Sequence, residues 1–314
     1  MTTTTPPPFD AELAAALEVL KEQMPSRFAE LDIHARRTEY TELELSDEDL
    51  RHGGDFEFEE LTVPGPAGEL RLLVGRPSGP ATGTLYYIHG GGMILGSHRS
   101  PDLAYALDWA AELGLAVVSV DYRLAPEHPH PAPVEDCYAG LVWTAEQFDG
   151  PLVLAGVSAG GGLAAATALL ARDRGGPALT AQMLLCPMLD DRNDTASAHQ
   201  MTGLGIWDRN ANELGWTALL GDRRGTPEVS PYAAPARAED LSGLPPAFID
   251  VGSAETFRDE AVAYATRLWQ AGGQAELHVW PGGFHGFDGL APQAAISAAA
   301  RAPRLPWLRR VLGA

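Results

Sequence analysis

The chain has 314 residues with 42 acidic and 22 basic side chains, a formal net charge of −20 at pH 7. Such a balance repels nucleic acid over most of the surface and argues against a phosphate-binding protein. At 45% hydrophobic and 20% charged residues, the composition is that of a globular protein, long enough for one large α/β domain or two small ones.

Two cysteines, Cys137 and Cys186, are too few for a disulfide framework; Cys186 ends the apolar run Met183-Leu184-Leu185-Cys186 and reads as a buried free thiol. No Cys and His cluster has metal-ligand spacing, and no metal or cofactor is expected. Residues 1–8 are Thr- and Pro-rich without the basic and apolar regions of a signal peptide, and no 18-residue apolar run occurs. These features predict a cytoplasmic protein without a membrane span.

In chain order, Leu13, Leu17, Leu20 and Met24 form one helical stripe, with Asp10 placed to cap it. Residues 30–54 are polar and acidic, with a weak helical pattern. The stretches 56–63 and 69–74 alternate like half-buried strands around a Pro-Gly turn and suggest an antiparallel edge. From residue 83, short apolar runs at 84–88, 115–120, 151–155, 181–186, 246–251 and 275–279 alternate with helical stretches at 103–113, 133–147, 159–172 and 258–271. Continuous apolar strands alternating with helices imply a mostly parallel sheet covered on both faces. Residues 188–243 are too long for a simple crossover and carry Trp207 and Trp216 among polar residues, which reads as a lid or cap.

Gly156-Val157-Ser158-Ala159-Gly160 fits G-x-S-x-G. It follows an apolar strand and opens an Ala-rich helix, so its glycines permit a sharp turn that lifts the serine hydroxyl clear of the backbone. The helix N-terminus points amides at the same spot. His89-Gly90-Gly91-Gly92 follows another strand and exposes a row of N–H groups suited to a developing oxyanion. Gly91 and Gly96 have P-loop spacing, but Ser97 and His98 stand where Lys and Ser/Thr are required, which rules that use out. His89 itself reads as a brace for the loop.

A serine nucleophile needs a base, and His285, in the Gly-rich loop after the last strand, is the best placed of nine histidines. His278 sits within that strand. His34, His52, His98, His128, His130 and His199 lie in polar or Pro-rich stretches and read as solvated. Glu255 follows the preceding strand, giving the order Ser158, Glu255, His285 of an α/β-hydrolase triad. Asp250 lies within the strand before its exit, and Asp259 and Glu260 read as carboxylates at a helix N-terminus.

Together, His89–Gly92, Asp121-Tyr122-Arg123-Leu124-Ala125-Pro126-Glu127, Gly156–Gly161, Arg258-Asp259-Glu260 and His285-Gly286-Phe287 make the chain resemble the hormone-sensitive-lipase-like α/β-hydrolases, the bacterial family IV esterases. The resemblance implies an eight-stranded, mostly parallel sheet with a helical cap. The divisions it suggests are cap helices in 1–50, a catalytic domain in 51–187 and 226–314, and a cap insertion in 188–225. It also implies a cofactor-independent carboxylesterase of short- or medium-chain acyl esters, with Gly91, Gly92 and Ala159 as oxyanion donors. Two positions depart from the family: Val157 stands where Asp is usual, and Glu255 where the acid is usually Asp. Tyr122, Arg123 and Glu127 read as a hydrogen-bonded loop beneath the site. An amidase or deacetylase would use the same machinery; a small-ligand receptor on this fold would lack His285. The strand at 275–279 is an edge that could pair across a homodimer.

Overall fold

In the computed structural model, which describes residues 5–23 and 32–314, the apolar runs become strands of one eight-stranded sheet. They are β1 (Phe56–Gly65), β2 (Gly68–Pro77), β3 (Thr84–Ile88), β4 (Ala116–Asp121), β5 (Leu152–Val157), β6 (Ala181–Leu185), β7 (Ala247–Gly252) and β8 (Ala275–Trp280). The spatial order is β1-β2-β4-β3-β5-β6-β7-β8. β1 pairs antiparallel with β2 and β2 antiparallel with β4, while β3 to β8 run parallel, so the antiparallel edge and parallel body are as expected. The first hairpin turns at Pro66-Ala67 rather than at the preceding Pro-Gly, because Gly65 still pairs with Gly68.

The inner parallel strands β3 to β7 are buried and largely apolar because both faces are covered, whereas the edge strand β8 carries Glu276 and His278 and is half-buried. Side chains alternate by face. Tyr86, Ile88, Val118, Leu154, Leu184 and Ile249 join one buried cluster, and Leu85, Tyr87, Val117, Val153, Met183 and Phe248 the other. The first cluster is closed by α5 (Ala132–Gln147), α6 (Ala159–Arg174) and α9 (Arg258–Gln270), the second by α4 (Leu103–Leu113) and α12 (Arg304–Leu312). The C-terminal helices α10 (Phe287–Leu290), α11 (Ala295–Arg301) and α12 were not anticipated: the first two are short, and Pro292, Pro303 and Pro306 break up the segment.

Before the sheet lie α1 (Ala11–Gln23), α2 (Ile33–Thr41) and α3 (Asp47–Arg51). Asp10 caps α1 as expected, its Oδ1 accepting from the amide of Glu12 at 2.9 Å. Leu13 and Leu17 are buried, whereas Met24 of the same stripe lies outside the described residues. The stripe packs against Phe284, Phe287, Ala291 and Ala294, the segment around His285. The Phe9 ring meets Phe284 edge-on, the Asp10 amide donates to the Gly282 carbonyl at 3.1 Å, and the Ala295 amide donates to Glu12 at 2.7 Å. Between β6 and β7, the long interval holds α7 (Ala196–Gln200) and α8 (Arg209–Leu220), which bury Trp216 and Leu219. Among the described residues no helix is long and apolar enough to cross a membrane.

Candidate active site

Ser158 sits where β5 turns into α6, with φ 56° and ψ −122°, a backbone conformation that non-glycine residues rarely adopt. The turn holds because glycines stand two residues to either side of Ser158. A Cβ on Gly156 would come within 2.3 Å of the Gly160 carbonyl oxygen, and one on Gly160 within 2.0 Å of that of Ile88. Both positions therefore exclude any side chain. The strain is fixed by two further bonds: the Ser158 amide donates to Leu185 at 2.8 Å, and its carbonyl accepts from Met188 at 2.9 Å.

The loops leaving β5, β7 and β8 converge. His285 Nε2 is 2.9 Å from Ser158 Oγ, and its Nδ1 is 2.7 Å from Glu255 Oε1. Glu255 is 1% exposed, and its Oε2 accepts from the Gly252 amide at 3.2 Å. The imidazole lies edge-on to Phe257, with ring centroids 5.1 Å apart. All three expected residues are thus joined in one hydrogen-bonded line, and the glutamate side chain spans the distance directly. Cys186 is buried beside them, its sulfur within 4.8 Å of a donor atom of Glu255 and of His285. Burial pushes this thiol's pKa up, keeping it protonated, and the other two groups already bond each other. The cluster is better suited to moving a proton than to holding a metal.

The glycine loop after β3 lies against the elbow. A Cβ on Gly90 would meet Val157 at 3.3 Å and the Ser158 Cβ at 3.5 Å. Among the described residues no backbone carbonyl accepts from the amides of Gly91, Gly92 or Ala159, which leaves them open to an incoming oxygen. Asp102 braces the loop by accepting from the Gly90 amide at 2.9 Å. Trp207, from the interval between β6 and β7, covers it: a Cβ on Gly92 would strike the indole at 2.4 Å. The same tryptophan lies 6.4 Å from the His285 ring and accepts, through its carbonyl, from Thr256 next to Glu255 at 2.9 Å.

His89 has the bracing role expected of it. Its ring is buried, stacks on Tyr122 at 4.1 Å, and places Nδ1 2.8 Å from the Gly90 carbonyl. Burial lowers its pKa from 6.5 to about 4. The unfolded chain therefore takes up this proton first, so the stabilisation is complete above pH 6.5 and is lost as pH falls toward 4. Burial holds Asp250 at about 6, which acts in the opposite sense, so the test is a difference. Between pH 7 and 4.5, His89→Gln is expected to lose about 2–3 kcal/mol less stability in urea unfolding than the wild type. Equal acid sensitivity of the two proteins would contradict it.

The profile of a family described as alpha/beta hydrolase fold matches residues 85–289. The chain belongs to the hormone-sensitive-lipase-like α/β-hydrolases. It is 39% identical to the carboxylic ester hydrolase LipN of Mycobacterium tuberculosis, over 74% of this chain and 64% of that protein, so the match spans less than two thirds of that relative. It is 38% identical to the carboxylesterase NlhH of the same species, over 73% of each chain. Among solved structures, a bacterial heroin esterase superposes with a TM-score of 0.88 at 39% identity, covering 99% of both chains. A hyperthermophilic esterase from Pyrobaculum calidifontis gives 0.82 at 32% identity, covering 95% of this chain and 97% of that one.

In this α/β-hydrolase the other acidic candidates have different partners. Asp250 is paired with Arg304. Asp259 and Glu260 lie in the first turn of α9 as expected, and the reading of a carboxylate favoured by the helix dipole is corrected for Glu260 alone. Asp259 accepts from the Ser197 amide of α7 at 2.8 Å, and buried Glu260 accepts from Leu189 and Asp190 at 2.7 and 3.2 Å. Burial drives the Glu260 pKa well up, the opposite of stabilisation by a helix dipole. Both carboxylates tie the β6–β7 interval to α9. Of the loop after β4, Tyr122 donates to the His89 carbonyl at 3.0 Å and Arg123 clasps Asp136. Glu127 reaches Arg37 of α2, whose guanidinium holds that carboxyl down at about 2. His98 is a second correction: it is buried between Glu60 and Asp121, a pairing invisible locally because its partners are on β1 and β4.

Proposed function

We propose that the chain is a serine carboxylesterase acting on short- to medium-chain acyl esters through Ser158, His285 and Glu255. The observation that carries this reading is the unbroken line Ser158 Oγ, His285 Nε2, His285 Nδ1, Glu255 Oε1, with links of 2.9 and 2.7 Å. A hydroxyl in such a line can lose its proton to the imidazole as it attacks a carbonyl carbon. Glu255 then fixes the imidazole's tautomer and offsets the charge it gains. The open amides of Gly91, Gly92 and Ala159 receive the oxyanion, each contributing on the order of 3–4 kcal/mol to the transition state. Collapse expels the alcohol, which takes the proton from His285, and leaves an acyl-serine. Water attacks that ester with His285 again as base, regenerating Ser158. Relatives named as carboxylic ester hydrolase, carboxylesterase and esterase support the reading.

The helices of 1–50 and 188–225 are read as a cap over this site. Ile33 and Arg36 of α2, Ile94, Leu95, Trp207 and the α8 residues Ala211 and Leu214 enclose a mostly apolar void of about 10 Å³ next to the oxyanion loop. Walls this close favour a small acyl group. With p-nitrophenyl esters from acetyl to palmitoyl, the highest kcat/KM is expected between acetyl and octanoyl; a maximum at palmitoyl would overturn the cap reading. Matched ester and anilide substrates separate the esterase from an amidase, and the ester is expected to be the faster.

A further inference from the structure

Arg304, the first residue of α12, is 2% exposed and belongs to none of the motifs in the sequence. Its Nε and Nη2 donate to Asp250 Oδ2 at 3.0 and 2.8 Å, and its Nη1 makes an ion pair with Asp288 Oδ2 at 2.7 Å. The guanidinium carbon stands 5.2 Å from the centre of the Tyr105 ring. Asp250 lies on β7, the strand that delivers Glu255, and Asp288 lies in α10, which begins directly after the His285 loop. One buried cation thus reaches both segments whose relative position sets the Glu255–His285 bond. We infer that Arg304 is a positioning residue, a clamp holding the acid and histidine loops in register.

Three buried ions are an expensive way to fill a core. An apolar trio of similar volume would stabilise the fold as well or better. What the ions add is direction toward Asp250, where charge-assisted bonds from the planar guanidinium fix distances that apolar contacts leave free. The contact with Asp288 is a close ion pair without hydrogen-bond angles. Between the clamp and the triad lies a void of about 20 Å³, lined by Asp250, Glu255, Asp288 and Arg304 and, on its apolar side, by Leu185 and Phe287 among others. That is room for one water molecule with several polar partners. The loop that carries Glu255 therefore borders a small void rather than close packing on this side, and the anchor behind it holds its distance from the histidine loop. A displacement of about 1 Å between acid and imidazole is enough to cost on the order of 10²-fold in rate.

The inference rests on the esterase reading above, and the test keeps the two apart. Asp250→Asn/Asp288→Asn/Arg304→Gln removes the clamp without leaving an unpaired buried charge. The triple variant is expected to melt cooperatively, and its kcat on p-nitrophenyl acetate to fall about 10–100-fold with KM changed by less than about threefold. The low-field proton resonance of the imidazole–carboxylate bond is expected to broaden or vanish. Arg304→Lys, which keeps the charge but not the fork, is expected to recover part of both. A folded triple variant with wild-type kcat and an unchanged low-field proton overturns the clamp. If the triple variant does not fold, Arg304→Lys decides: a lowered kcat at constant KM supports the clamp, and wild-type kcat overturns it. A wild-type protein that hydrolyses no ester overturns the esterase reading instead, and the proton resonance then still tests the clamp.

Discussion

Ser158→Ala is expected to lower kcat by about 10³-fold or more while leaving the fold intact, because triad members act as a unit and the oxyanion donors alone retain only the residual rate. The elbow's glycines, rather than the serine side chain, make room for the turn: Gly156 and Gly160 sit against backbone carbonyls that a Cβ would strike. Alanine at position 158 keeps the same backbone bonds to Leu185 and Met188. A thermal melt close to wild type, beside the lost turnover, would separate chemistry from structure. An organophosphate is expected to label Ser158 one-to-one and to leave the alanine variant unlabelled. Labelling at another residue would show that the nucleophile lies elsewhere.

Glu255→Gln is expected to cost about 10²–10⁴-fold in kcat, since the amide removes the charge that stabilises the imidazolium and admits the wrong tautomer. Its neighbour provides the control. Asp259 is four residues on, but its carboxylate is engaged by the Ser197 amide and by the Arg258 guanidinium at 2.8 Å each. Asp259→Asn is therefore expected to reduce stability by about 1 kcal/mol, through a weakened bond to α7, and to leave kcat within severalfold of wild type. Steady-state kinetics on both variants, with urea unfolding of each, decides between them. If Asp259→Asn lost more turnover than Glu255→Gln while remaining folded, the acid would be misassigned.

The sheet was legible because the strands of its parallel body are short and mostly apolar, and because helical stretches separate most of them. The three members of the candidate triad were legible for a related reason. Each follows a strand, so their order along the chain already restricts where they can meet. Side chains whose partners are far away in sequence were not legible. His98 looks like a surface histidine until β1 and β4 bring Glu60 and Asp121 to it. Asp259 and Glu260 look like ordinary carboxylates of a helix start, because nothing local says that residues 189–197 return to meet them. Arg304 shows the same limit most clearly: it stands 54 residues from Asp250, and nothing near it in the sequence points to that partner.

The docking of α1 on the histidine segment has a consequence for the order of assembly. The bond between Glu12 and Ala295 joins residues 283 apart in sequence. During synthesis those ends are separated by tens of seconds at about 5–20 residues per second. A 13-residue helix is marginal by itself, so α1 has no stable partner until the segment after β8 has emerged. Strands β1 to β6 can pair in the meantime, and Ser158 can take its place on the elbow. The proposed base, His285, arrives after them, on a loop buttressed by residues made well before it. In the proposed mechanism the nascent chain therefore carries an ordinary, unactivated serine until α1 and the His285 segment have met.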